Sequence, residues 1–310
     1  MIDFRYHLVS LTAVFLALAV GIVLGSGPMR DALTGSQTEQ IDQLNAEVAE
    51  AQELVEEERQ QAAAGEQYAD QTAPRVLAGT LESQSVASIE VAKPDSADAE
   101  GVRSRQVQAG ASISANVTIT EEWTNPDQVA FRSSLASTLT PQVIGASSEM
   151  TSTAVLAHAL AQALMPGAAP SGEDPADYTA GAQDRADTLW DLLAEAGLVS
   201  GTVTDVSTAV TMIAGPVSDE SAEHFAVYAE IVGVLGEYAT GTVATSGDPS
   251  PGDLATSVAN SPQASSLVST VTSGTGYFGQ LSTALVLAEN IGGNVAQYSA
   301  GADASYVPTP

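Results

Sequence analysis

The stretch Leu8 to Leu24, LVSLTAVFLALAVGIVL, constrains this chain more than any other feature. It carries no charge. Its only polar side chains, Ser10 and Thr12, can return their hydroxyls to the helix backbone. At about 1.5 Å per residue the run nearly spans a hydrocarbon core of about 30 Å, and Phe4, Tyr6 and Gly25-Ser26 can extend it into the interface. It reads as an uncleaved anchor. The rival is a signal peptide cut near Ala17-Leu18-Ala19, inside the apolar run, which would discard its second half. Arg5, His7 and the amino terminus precede the run and Arg30 follows it, so the local charge bias is weak. So short an N-terminal flank favours a cytoplasmic N-terminus with the bulk of the chain in the periplasm-like envelope space.

One face of the anchor carries Ala13, Ala17, Gly21 and Gly25, a small residue at every fourth position. Such a stripe lets two membrane helices approach closely. Its competitor is the ordinary abundance of Ala and Gly in membrane spans. Past Gly25-Ser26-Gly27-Pro28, where the helix should break or kink, a polar helical stretch runs from about Asp31 to Tyr68. Ile41, Leu44, Val48, Ala51 and Val55 keep the 3-4 spacing of a coiled-coil seam, which Glu58 then interrupts. This implies a homodimer or a helical membrane-protein partner. The alternative is a solitary amphipathic helix lying on the protein's own body.

Gly65 and Pro74 mark the expected join to a globular body in which strand and helix signals alternate. Strands are predicted at Ser85–Val91, Ser112–Thr120, Thr208–Ala214, Gly241–Thr245 and Ser266–Thr272. Helices are predicted at Ala97–Ala109 with Val102 and Val107 inward, at Pro126–Leu139 and at Thr151–Leu164. Three more follow: Gln183–Gly197 with Ala186, Leu189, Trp190 and Leu193 on one face; Ala222–Ala239 with Phe225, Tyr228, Val232 and Leu235 on one face; and Gly279–Asn290. The alternation implies a mostly parallel sheet covered by helices, Rossmann-like in layout. The expected organisation is residues 1–30 for the cytoplasmic tip and transmembrane anchor, 31–72 for the coiled-coil stalk, 73–292 for the extracytoplasmic α/β domain and 293–310 for an irregular tail.

The net charge of −29, with Lys93 the lone lysine, argues against nucleic-acid binding, because phosphate and this surface repel. With no cysteine, disulfides, zinc ribbons and thiol catalysis are excluded. Gly274-x-Gly276-x-x-Gly279 matches the dinucleotide fingerprint in form. However, it falls in the last strand-helix unit, and no strand with an acidic residue follows. A tight turn explains it better. His7, His158 and His224 have no nucleophile or carboxylate at motif spacing. Met150, Met165 and Met212 are scattered, and Asp95 to Glu100 lacks calcium-loop spacing. No catalytic, cofactor-binding or metal residues are assigned, and the chain is read as a non-enzyme.

The opening MIDFRYHLVSLTAVFLALAVGIVLGSGP resembles the start of the actinobacterial MctB-type proteins. The resemblance continues through the glutamate-rich stalk, SVASIEV, AGASISANVTIT and LSTALVLAENIGG. The tail departs slightly, with Tyr298-Ser299 where Tyr-Gly is expected. The family label implies copper transport and an envelope location, and copper enters only through this resemblance. The SteB-like corynebacterial branch implies something else: a scaffold in cell separation that acts with a SteA-type membrane partner on peptidoglycan hydrolysis. With one short span and few soft donors, the sequence favours the scaffold, with copper homeostasis as the alternative.

Overall fold

The structure is a computed structural model that describes residues 4–25, 29–217, 223–247 and 250–299. The expected break at Ser26-Gly27-Pro28 and the end of the tail lie outside them. The chain divides into two compact units, residues 1–65 and 66–310.

The first unit holds α1 (Phe4–Gly25) and most of α2 (Met29–Val76). Within α1, the Thr12 hydroxyl donates to the Leu8 carbonyl at 2.7 Å, so its polar group is satisfied inside the helix as an apolar surrounding requires. Arg5–Val23 is long and apolar enough to cross a membrane, with a mean hydropathy of 2.1. The helix α2 is longer than the sequence reading. It runs without interruption through Gly65, and Pro74 sits inside it near its end.

The second unit begins with the last turns of α2. There Ala69 and Ala73 are buried, and Leu77 and Leu81 follow them into the core. Next come β1 (Ser85–Val91), α3 (Ser96–Gln108), β2 (Ser112–Ile119), α4 (Val129–Leu139), α5 (Ser152–Leu164), α6 (Pro175–Thr179), α7 (Ala182–Glu195), β3 (Val199–Val203) and β4 (Ala209–Ala214). Then follow α8 (His224–Tyr238), β5 (Gly241–Thr245), α9 (Leu254–Asn260), α10 (Ala264–Leu267), β6 (Val268–Val271), α11 (Tyr277–Ile291) and β7 (Gln297–Tyr298).

The described strands form one seven-stranded sheet in the order β3-β2-β1-β4-β5-β6-β7. All neighbours are parallel except β2 and β3. The fold class is therefore α/β with a mostly parallel sheet, as the sequence predicted. β4, β5 and β6 are buried along their whole length, as expected of parallel strands covered on both faces. One core joins this sheet to α4, α5, α7, α8 and α9. A second joins it to α11 and the end of α2. Small polar residues inside the sheet are met by helix side chains. Gln106 donates to Thr211 at 2.6 Å, and Asn290 both accepts from the Thr242 amide at 2.7 Å and donates to Ser269 at 2.8 Å.

Several expectations need correction. Val107 is 54% exposed, because Arg105 and Gln106 occupy the inward side of α3 alongside Ala99 and Val102. Arg105 reaches Asp70 on α2 at 2.6 Å and lies over the Tyr277 ring. Trp190 is only half-buried beside Leu189 and Leu193. The edge strand β3 and the short helix α9 are absent from the sequence reading. The tail read as irregular contributes β7, whose Gln297 and Tyr298 pair with Thr270 and Val271.

Candidate functional site

In an open, mostly parallel sheet, ligands bind outside the carboxyl ends of the strands, where the connections diverge to opposite sides. Here that point lies between β1 and β4. After β1 the backbone turns sharply, with Ala92 and Lys93 both at positive φ. After β4 comes Gly215, whose amide donates to the Val91 carbonyl at 2.9 Å. A Cβ at Gly215 would collide with the Ala92 carbonyl, so only glycine lets the two loops lie this close. The loops thus stitch the switch point with backbone.

The stitch separates two clefts. One, of about 420 Å³, is lined by Lys93, Glu121, Glu122, Asn125, His224 and Tyr228. Lys93 pairs with Glu121 at 2.6 Å, which raises the lysine pKa and lowers that of the carboxylate. The other, of about 320 Å³, is lined by Asp95, Asp98, Ser246, Asp253 and Thr275 among others. Its acids are structural in part. Asp95 accepts from the Ala97 amide and caps α3, and Asp253 accepts from the Thr256 amide and caps α9. The Ser246 hydroxyl is buried without a partner. The turn Gly274 to Gly279 enters α11 beside this cleft. A Cβ at Gly274 would strike Thr245, and one at Gly279 would strike the Ser273 carbonyl. Both glycines are therefore required by packing, whatever the turn binds.

A third cavity, of about 560 Å³, lies between α5 and α8. His158 lines it, 7% exposed, with Nδ1 at 2.9 Å from the Tyr238 hydroxyl. That hydroxyl also accepts from Gln162 Nε2 at 3.2 Å, while Glu237 stands 4.0 Å from His158 Nε2. Burial lowers the His158 pKa against the opposing pull of Glu237, so the ring is neutral at pH 7. Burial also raises the Tyr238 pKa. Met150 lines the same cavity, so the structure brings together a thioether and an imidazole that look scattered in the sequence. Among the described residues, no group of three or more His, Asp or Glu is placed to hold a metal.

The residues singled out for helix pairing remain at the surface of the single chain. Ala13, Ala17, Gly21 and Gly25 are exposed on α1, and nothing stands within 4 Å of a Cβ at either glycine. On α2, Ile41, Leu44, Val48 and Val55 are 56, 58, 53 and 50% exposed, and Ala51 is exposed between them. Spacing alone located these faces. The clefts and the His158 cavity had no local signal, because their walls come from residues far apart in sequence.

Fold and surface together define a class: an open α/β body carried by a chain with one N-terminal helix able to cross a membrane. The chain matches the family model described as "Copper transport outer membrane protein, MctB" over residues 1–308. It belongs to the MctB family. It is similar to the protein named "Copper transporter MctB" of Mycobacterium tuberculosis, 28% identical over 309 residues, 97% of each chain. The protein of that name from Mycobacterium bovis gives the same figures. That of Mycobacterium leprae is 30% identical over 142 residues, 46% of this chain and 45% of that one. These names favour copper transport over cell separation, and none of them concerns a SteA-type partner.

Proposed function

We propose that this chain is a non-enzymatic, membrane-anchored component of copper transport in the cell envelope, with copper as cargo. The observation that carries this reading is the match to a family named for copper transport along almost the entire chain. In this reading α1 crosses the membrane, the N-terminus is cytoplasmic, and the α/β body stands in the envelope space. One helix cannot line a pore alone. Membrane barrels are closed and antiparallel, whereas the sheet here is open and mostly parallel. Transport therefore depends on assembly, with other copies or with a channel-forming partner. A cell-separation scaffold would use the same exposed helix faces, but no observation favours it over copper.

A strain lacking this chain tests the reading. Cell-associated copper, measured by mass spectrometry, should rise, growth should become copper-sensitive, and the intact gene should reverse both. Normal copper content together with chained, unseparated cells would overturn the copper reading in favour of the scaffold.

A further inference from the structure

The helix α2 presents an apolar stripe that no described residue covers. Ile41, Leu44, Val48, Ala51 and Val55 occupy alternating a and d positions of a heptad, and the four large ones are at least half exposed. The charges are arranged around this stripe. With Ile41 at a, the acids Asp42, Glu50, Glu53, Glu56 and Glu57 fall at b, c and f, on the far side of the helix. The flanking e and g positions hold Asn45, Glu47, Gln52, Leu54, Arg59 and Gln61. Two identical helices laid side by side in register would pair g with the following e of the partner: Glu47 with Gln52, Leu54 with Arg59. Neither pairing sets like charges together, despite the net charge of −29.

Glu58 is the exception, because it occupies d, inside the seam. In a parallel pair, a d side chain inserts into a hole made by four residues of the facing helix. For Glu58 these are Val55, Glu58, Arg59 and Ala62 of the other copy. Arg59 follows at e, and among the described residues no ion pair engages either Glu58 or Arg59. In a parallel, unshifted pair the residue that interrupts the seam thus faces Glu58 of the other copy and, beside it, the counter-charge of Arg59.

We propose that α2 pairs with α2 of a second copy of this chain, parallel and in register, through Ile41, Leu44, Val48, Ala51 and Val55, with Glu58 of each copy facing Arg59 of the other. The membrane span supplies the polarity. Two copies inserted by α1 in one bilayer present their α2 helices in the same direction and at the same height. The seam covers only about two heptads, which is short for association in solution. Confinement to one membrane raises the effective concentration and offsets this. The proposal goes beyond the copper reading and holds whether or not copper is the cargo.

The chain has no cysteine, so an introduced one reports a single position. The test uses the full-length chain, purified and reconstituted alone in lipid vesicles. Leu44→Cys and Val48→Cys should form disulfide-linked dimers under mild oxidation, while Ala46→Cys, at the outward f position, should not. In the Val48→Cys background, Glu58→Arg or Arg59→Glu should each slow crosslinking roughly tenfold, the scale that two reversed exposed ion pairs can reach. Together the two reversals should restore the rate. The thermal transition of the body should stay unchanged in every variant, because residues 41–59 are exposed and belong to the other unit. Crosslinking absent from vesicles but present in native membranes would make the occupant another chain and overturn the proposal. Equal crosslinking at Ala46 and Val48, or single reversals with no effect, would also overturn it.

Discussion

Replacing Tyr238 by Phe removes one oxygen from the interior and leaves the ring. That oxygen contacts His158 Nδ1 at 2.9 Å and Gln162 Nε2 at 3.2 Å. A neutral hydrogen bond contributes about 1 kcal/mol net, and a buried group left unpaired costs about 1–3 kcal/mol. Gln162 keeps a second acceptor in the Ile144 carbonyl at 2.8 Å, so its loss is partial, whereas among the described residues Tyr238 is the hydrogen-bond partner of His158 Nδ1. The expected cost is therefore about 2 kcal/mol. For a unit of the size of residues 66–310, this corresponds to a fall in Tm of roughly 4–8 °C. Tyr178→Phe is the matched control. Its ring packs edge-on against Tyr238, and among the described residues its hydroxyl makes no hydrogen bond. The assay is thermal or urea unfolding of the full-length chain at pH 7.5, followed by near-ultraviolet circular dichroism. If Tyr238→Phe and Tyr178→Phe shift the transition equally, the hydrogen bonds are not what holds α5 to α8, and the reasoning fails.

The same network fixes a pH dependence. Burial lowers the folded-state pKa of His158 below the unfolded value of about 6.5. The unfolded chain then binds the proton first, so stability declines as pH falls through 6.5 and levels off below the folded pKa. In His158→Gln this decline should be shallower across that interval; an identical slope would refute the assignment. Leu160→Ala, at a fully buried position of α5, should cost about 2–5 kcal/mol in denaturant titration. Gly279→Ala should destabilise the body by about 1–3 kcal/mol, because its Cβ meets the Ser273 carbonyl. The parent chain should give no calorimetric heat with NAD or ATP, and saturable binding would restore a nucleotide role to the Gly274 turn. Gly21→Leu in α1 should weaken association in vesicles without moving the body's thermal transition.

The elements with strong periodicity were legible in the sequence. Phe225, Tyr228, Val232 and Leu235 lie on one buried face of α8, as their spacing predicted; of the alternating Ile113, Ala115, Val117 and Ile119 read along β2, the last three are buried in one core, whereas Ile113 is half-buried against the other, because the pairing register shifts before Ala115. Gly197, with φ +72, ends α7 as expected. The edges were not legible. β3 is Val-Ser-Gly-Thr-Val, with its three central residues exposed, and β7 is two residues long. Such strands exist because a neighbour offers hydrogen bonds, and no hydrophobic pattern announces that. The inward side of α3 was misread because apolarity was taken as the mark of burial. Gln106 is fully buried in place of Val107 because Thr211 on β4 needs its amide. The cavity residues lie 80 positions apart in the case of His158 and Tyr238, and only the packing of α5 on α8 unites them.

The backbone contact between Gly215 and the Ala92 turn acts as a bridge across the one gap this sheet would otherwise leave open. A dinucleotide lying along the carboxyl edge would have to pass over that bridge. The bridge thus leaves two separate clefts along this edge, one on either side of it. Any substitution that lengthens Gly215 would have to spread β1 from β4, so the barrier is built into the sheet itself and cannot be removed by moving a lid.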